Sequence, residues 1–181
     1  MIKDEITEIL LSEQDIINIC KRLGAEITKD YQGKTPILVG LLKGCLPFMA
    51  DLMRYINTHV ETYYMAISSY HGGIKSSGDV IIKYDLERSI AGRDVIILED
   101  IVDTGQTITT VVNLLLHRGA KSVSVATLLD KPSGRVVEYK PKYVGKVIPK
   151  AFVVGYGLDY EELYRNVPYI GVLDPKVYTK E

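Results

Sequence analysis

The chain has 181 residues, enough for one domain with a sizeable core and short for two. Apolar residues make up 46% and charged residues 25%, a globular balance that excludes a disordered chain or a coiled coil. Lys and Arg total 22 against 23 Asp and Glu, a formal net charge of -1, so the basic excess used in bulk nucleic-acid binding is missing.

Residues 1–8 are acidic where a secretion signal is basic and then apolar. Ser12 before Glu13-Gln14-Asp15 reads as a capping-box start, and Ile16, Ile19, Cys20, Leu23, Ile27 and Tyr31 follow at helical spacing. Pro36 opens the apolar run Ile37-Leu38-Val39-Gly40-Leu41-Leu42, the pattern of a strand buried on both faces of a parallel sheet. A helix is predicted over 47–56 with Pro47 in its first turn. Strands follow over 60–67 and 80–84, separated by a polar, glycine-rich stretch over 68–78. Cys20 and Cys45 lie far apart in apolar surroundings and read as reduced, buried thiols.

The centre is the most legible part. Val95-Ile96-Ile97-Leu98 is a buried strand, and a helix over 107–116 carries the stripe Ile108, Val111, Val112, Leu115 and Leu116. His117-Arg118-Gly119 closes that helix with positive charge and a glycine cap. The next strand, over 123–129, completes a strand–helix–strand unit and hence a parallel crossover. Short strands are predicted over 144–148, 152–156 and 170–173. The expectation is a single α/β domain over 1–181, a mainly parallel sheet flanked by helices, with a small β-rich hood built from about 144–181. Ligands of such sheets bind beyond the carboxyl ends of the strands. No run reaches the ~18 apolar residues of a membrane-spanning helix, so a cytoplasmic, soluble domain is expected.

At the carboxyl end of the central strand stands Glu99-Asp100-Ile101-Val102-Asp103-Thr104-Gly105-Gln106-Thr107. A glycine, two threonines and a helix N-terminus make a cradle for a phosphate. Three carboxylates in the same turn would repel a bare phosphate, so the ligand should also carry sugar hydroxyls or a divalent cation. Acidic helix capping is the alternative reading. No G-x-x-x-x-G-K-[ST] loop is present, and Gly155-Tyr156-Gly157 lacks the third glycine of a dinucleotide fingerprint.

An apolar strand followed by E-D-x-x-D-T-G-x-T resembles the phosphoribosyl diphosphate motif of the type I phosphoribosyltransferases. Other segments narrow the resemblance to the hypoxanthine-guanine branch in its bacterial form: Leu42-Lys43-Gly44 is similar to the pyrophosphate loop, and Ser69-Tyr70 to the start of the lid. Leu128-Leu129-Asp130-Lys131-Pro132 is similar to the purine-contacting strand end, and the segment from Phe152 to Tyr160, with Arg165, to the base-binding hood.

The resemblance implies the type I phosphoribosyltransferase fold. It also implies a reaction: hypoxanthine or guanine displaces pyrophosphate from 5-phosphoribosyl 1-diphosphate at N9, giving IMP or GMP in purine salvage. By the same resemblance Glu99 and Asp100 contact the ribose hydroxyls and magnesium. Asp103, Thr104, Gly105, Gln106 and Thr107 cradle the 5-phosphate, with Asp103 the general base or hydrogen-bond acceptor facing the purine N7. Lys43, Gly44 and Arg165 bind pyrophosphate, Asp159 serves a second magnesium, and the Leu42-Lys43 peptide can be cis. Lys131, Phe152, Val153 and Asp159 form the purine site, with Lys131 donating to O6 and Phe152 stacking on the ring.

Plainer readings stand beside these: an N-cap for Asp103, a turn aspartate for Asp159, a surface arginine for Arg165. Phe152 alone would read as core and Lys131 as a solvated turn residue. The rival functions are another phosphoribosyltransferase, for adenine, xanthine or a pyrimidine, with Lys131 and Phe152 weighing against adenine and uracil more than against xanthine, and a non-catalytic nucleotide sensor that binds RNA. A homo-oligomer, dimer or tetramer, and regulation by guanine-nucleotide alarmones complete the expectations.

Overall fold

The structure, a computed structural model, describes residues 2–69 and 80–179. Tyr70 and the remainder of the expected lid therefore lie outside the described residues. Ser69 is the last residue of its strand.

Strand β1 (Ile6–Leu11) leads into helix α1 (Glu13–Asp30), which Ser12 and Asp15 start with a reciprocal capping box. β2 (Ile37–Leu42) runs into helix α2 (Leu46–Met53), shorter than the predicted 47–56. Beyond Met53 the chain turns through Tyr55 N–H to Leu52 O and Ile56 N–H to Met53 O, the tighter bonding of a fraying helix end. β3 (Glu61–Ser69), β4 (Val80–Tyr84), β5 (Asp94–Val102), α3 (Gln106–His117) and β6 (Ser122–Asp130) follow. β7 (Tyr143–Val147), β8 (Val153–Val154), β9 (Ile170–Leu173) and the short α4 (Pro175–Tyr178) complete the chain.

Six strands form one sheet in the order β4-β3-β2-β5-β6-β7, parallel throughout except for the antiparallel β3–β4 edge. Strand alternation splits its side chains between two cores. Leu38, Ile96, Leu98, Ala126 and Leu128 pack with α1 and α2 on one face. Ile37, Val39, Val95, Ile97 and Val125 meet Ile108, Val111 and Leu115 of α3 on the other. Each of those three α3 side chains contributes about 1.5–3 kcal/mol by leaving water. The predicted α3 stripe is narrower than expected, because Leu116 is 46% exposed.

The hood is a separate three-stranded antiparallel sheet in the order β1-β9-β8. Its composition differs from the expected 144–181: β7 pairs parallel with β6 and extends the main sheet, while β1 joins the hood from the N-terminal end. Val153, Tyr156, Leu158 and Ile170 of the hood share one core with α1 and α2, which fixes the hood over the carboxyl end of the central strands.

Candidate active site

The acidic segment does not lie in one turn. Glu99 and Asp100 belong to β5, which parallel pairing with β6 carries past the apolar run to Val102. Only Asp103 stands in the loop. That loop ends in Gly105 at φ +82, the N-cap of α3, where a Cβ would also lie 2.6 Å from Val137 O. Glycine alone makes this turn without strain. The N-cap has no side-chain hydrogen bond, so Asp103 is not the helix cap. Thr104 Oγ1 accepts from Gln106 N–H, and Thr104 O accepts from Val136 and Val137 N–H, pinning the loop to the segment after β6. The first N–H groups of α3 have no partners within the helix and carry its positive dipole end. A hollow of about 110 Å³ opens here, lined by Glu99, Asp103, Thr104, Gly105, Thr107 and Ile108 among others.

A second hollow, of about 210 Å³, shares Glu99 and Thr107 with the first and adds Lys43, Gly44, Asp100, Asp159 and Arg165. Lys43 follows a cis Leu42-Lys43 peptide. A Cβ on Gly44 would lie 1.7 Å from Asp100 Oδ2, and one on Gly157 would lie 2.0 Å from Gly44 O. The pyrophosphate-type loop, the acidic strand and the hood therefore meet with no room for a side chain between them. Arg165 donates to Gly157 O at 2.7 Å and pairs with Asp159 at 2.9 Å; its buried Nε has no hydrogen-bond partner. Asp159 also accepts from Glu162 N–H, so its turn role and its place in the hollow coexist.

Burial and the neighbouring Asp100 push the Glu99 carboxyl well above the usual carboxylate range. Burial likewise raises Asp100 to about 6, against backbone donors that lower it. Two desolvated carboxyls beside a hollow are an electrostatic reason for a cation. Among the described residues no three carboxylate, histidine or cysteine groups converge as a metal cage. The donor set fits magnesium, which is held by one or two carboxylates with water and phosphate oxygens completing its shell.

Lys131 Nζ lies 2.5 Å from Oδ2 of Asp103, which lines the first hollow, and its side chain is only 16% exposed. Lys131 is thus no solvated turn residue. A Cβ on Gly134 would meet Asp103 Oδ1 at 1.7 Å, so that glycine lets the carboxylate in. Phe152 is 40% exposed rather than core, stacked on Tyr178 at 4.9 Å with Tyr160 edge-on at 5.7 Å. Val153 lies buried in β8.

Sequence reasoning missed Arg135. Its guanidinium donates to Val102 O at 2.6 Å, Asp103 O at 2.5 Å and Tyr139 O at 3.1 Å, and pairs with the Asp130 carboxylate. It ties the start of the phosphate loop to the end of β6. A lone arginine three residues after a proline carries no signal of this in sequence.

Residues 7–161 match the family model of the phosphoribosyl transferase domain. The chain is 54% identical to a hypoxanthine-guanine phosphoribosyltransferase of Lactococcus lactis, over 97% of this chain and 95% of that one. It is also 54% identical to the one from Streptococcus pneumoniae, over 99% of both. A crystal structure of a hypoxanthine phosphoribosyltransferase from Staphylococcus aureus superposes with a TM-score of 0.95 at 54% identity, covering 99% of this chain and 97% of that one.

Proposed function

The chain belongs to the phosphoribosyl transferase domain family, and from that premise we propose that it is a purine-salvage enzyme. It transfers the 5-phosphoribosyl group of 5-phosphoribosyl 1-diphosphate to N9 of hypoxanthine or guanine, releasing pyrophosphate with IMP or GMP. The observation that carries the reading is the pair of adjoining hollows, one with an anion cradle and the Asp103–Lys131 pair, the other with Lys43, Asp100, Asp159 and Arg165.

The residues divide the work as follows. Thr104 to Thr107 take the 5-phosphate on backbone N–H groups and hydroxyls at the start of α3. Glu99 and Asp100 accept hydrogen bonds from the ribose hydroxyls. Lys43 and Arg165, with the backbone of Gly44, receive the pyrophosphate. Glu99 and Asp100 would hold one magnesium ion and Asp159 a second, and ions held there would supply charge neutralisation at the leaving pyrophosphate. Lys131 leaves Asp103 to donate to the purine O6, freeing the Asp103 carboxylate to accept a proton at N7 as N9 attacks C1. Phe152 offers a ring face to the base, and the Val153 backbone reads its edge. Holding four groups in one geometry supplies most of the acceleration.

No helix of the described residues is long and apolar enough to cross a membrane; a cytoplasmic place belongs to the proposal as the setting of purine salvage. Leu46 and Met53, exposed one heptad apart on α2, support a homo-oligomer. The two hollows also suit a guanine nucleotide that carries pyrophosphate, the chemistry of an alarmone. The test of the reaction is chromatography of a mixture of protein, hypoxanthine, 5-phosphoribosyl 1-diphosphate and magnesium. IMP and pyrophosphate should form in equal amounts, and a chelator should stop both without unfolding the chain; no IMP from folded protein overturns the reading.

A further inference from the structure

The two cations assigned to pyrophosphate are already joined by one carboxylate. Lys43 Nζ lies 2.8 Å from Glu162 Oε2, and Arg165 Nη2 lies 3.3 Å from Glu162 Oε1. Lys43 comes from the turn after β2 and Arg165 from the hood, so Glu162 joins two cations that line the second hollow from different segments. Its backbone is set for this. Glu161, Glu162 and Tyr164 hold φ values of +49, +67 and +74, a region that residues other than glycine seldom enter. Glu162 N–H donates to Asp159 Oδ2 at 2.9 Å, which locks the turn that presents the side chain. The same two cations hold its carboxyl below the usual range.

Resting on the pyrophosphate assignment above, we propose that Glu162 is an internal anion that occupies Lys43 and Arg165 and yields them to the pyrophosphate group of substrate or product. Chemistry favours the exchange in that direction. Magnesium pyrophosphate offers several oxygens and a higher charge than one carboxylate, and both cations are pure donors that take either partner. The side chains of Lys43 and Glu162 are 68% and 63% exposed, so water screens their attraction. An exposed pair of this kind changes an equilibrium by roughly two- to five-fold. A competitor of that strength loosens the hold on pyrophosphate and so assists its departure, while the cations stay in register when the hollow holds no phosphate.

The experiment is calorimetric titration of inorganic pyrophosphate, with magnesium present, into wild type, Glu162→Gln, Lys43→Met and the double variant. Glu162→Gln keeps the shape and length of the side chain and removes its charge. Its Kd for pyrophosphate should fall about two- to five-fold, and the gain should shrink in the Lys43→Met background, where one of the two cations is gone. Glu162→Asp, too short to span both cations, should tighten binding by a smaller factor. An unchanged or higher Kd in Glu162→Gln overturns the proposal, as does a gain of full size without Lys43. Wild type that fails to bind pyrophosphate at all would instead defeat the pyrophosphate assignment on which it rests.

Discussion

Replacing Arg135 should expose how the site is braced. The Arg135 and Asp130 side chains are 14% and 11% exposed, and they pair with each other inside the protein. Arg135→Ala leaves the Asp130 carboxylate buried without its cation, a change that costs about 3–5 kcal/mol. That is a large share of the roughly 5–15 kcal/mol that holds a domain folded. It also releases the carbonyls of Val102 and Asp103 from the guanidinium, loosening the loop that presents the Asp103 side chain. Urea unfolding should show a loss in that range. Adding Asp130→Asn to the variant should return part of it, because the orphaned group is then neutral. Arg135→Lys, which keeps the charge but not the planar fork, should fall between. Turnover of the folded Arg135→Ala fraction should drop by at least roughly tenfold, since misplacing a catalytic group by an ångström costs more than that. A stability loss under about 1 kcal/mol, the value of an exposed pair, would refute the reasoning.

Three further outcomes follow from the same geometry. Asp103→Asn keeps the shape but not the basic oxygen, so turnover should fall roughly 10²–10⁴-fold while direct binding of IMP changes far less. Lys131→Ala should lower kcat/KM for hypoxanthine and guanine by similar factors, because both present the same O6; loss of guanine alone would defeat that assignment. Asp100→Asn should stabilise the ligand-free protein at pH 8. Burial raises this carboxyl to about 6, so the folded state binds its proton more tightly than the unfolded state and this group lowers stability as pH climbs from about 4 to about 6. The gain, on the order of 1–3 kcal/mol above pH 6, should vanish below about pH 4 in thermal unfolding without magnesium.

The parallel centre was legible because β2, β5 and β6 are buried on both faces and leave unbroken apolar runs in the sequence. Composition ended β5 at Leu98, where the apolar residues stop, yet pairing of Glu99 with Thr127 and Ile101 with Leu129 carries it to Val102. β1 left almost no trace. It is a hood-edge strand with only one fully buried residue, and its partner β9 lies at the other end of the chain. The segment of β7 reads as a strand, but nothing local says which sheet it joins. The candidate site left its strongest sequence signal where chemistry is concentrated, in the motifs from Glu99 to Thr107 and at Lys43. Arg135 and Glu162 were not legible, since the contact that gives each its role is distant in sequence, Asp103 32 residues from Arg135 and Lys43 119 residues from Glu162, and a lone charged residue in a loop looks the same whether it is a strut or solvated. Gly44, Gly134 and Gly157 show the same limit: their reason is the close approach of another segment, visible only once folded.

The most direct test of the account is a set of initial rates with hypoxanthine, guanine, xanthine and adenine, each under saturating 5-phosphoribosyl 1-diphosphate and magnesium. The buried Lys131 ammonium has three donors and no acceptor, so it serves a carbonyl at position 6 and meets only another donor in adenine. Hypoxanthine and guanine should both turn over rapidly, and adenine should be slower by roughly 10²-fold or more, because its amino group gives Lys131 nothing to donate to and leaves it paired with the Asp103 carboxylate that must take the N7 proton. Comparable rates with adenine, or transfer to no purine at all, would contradict the central claim.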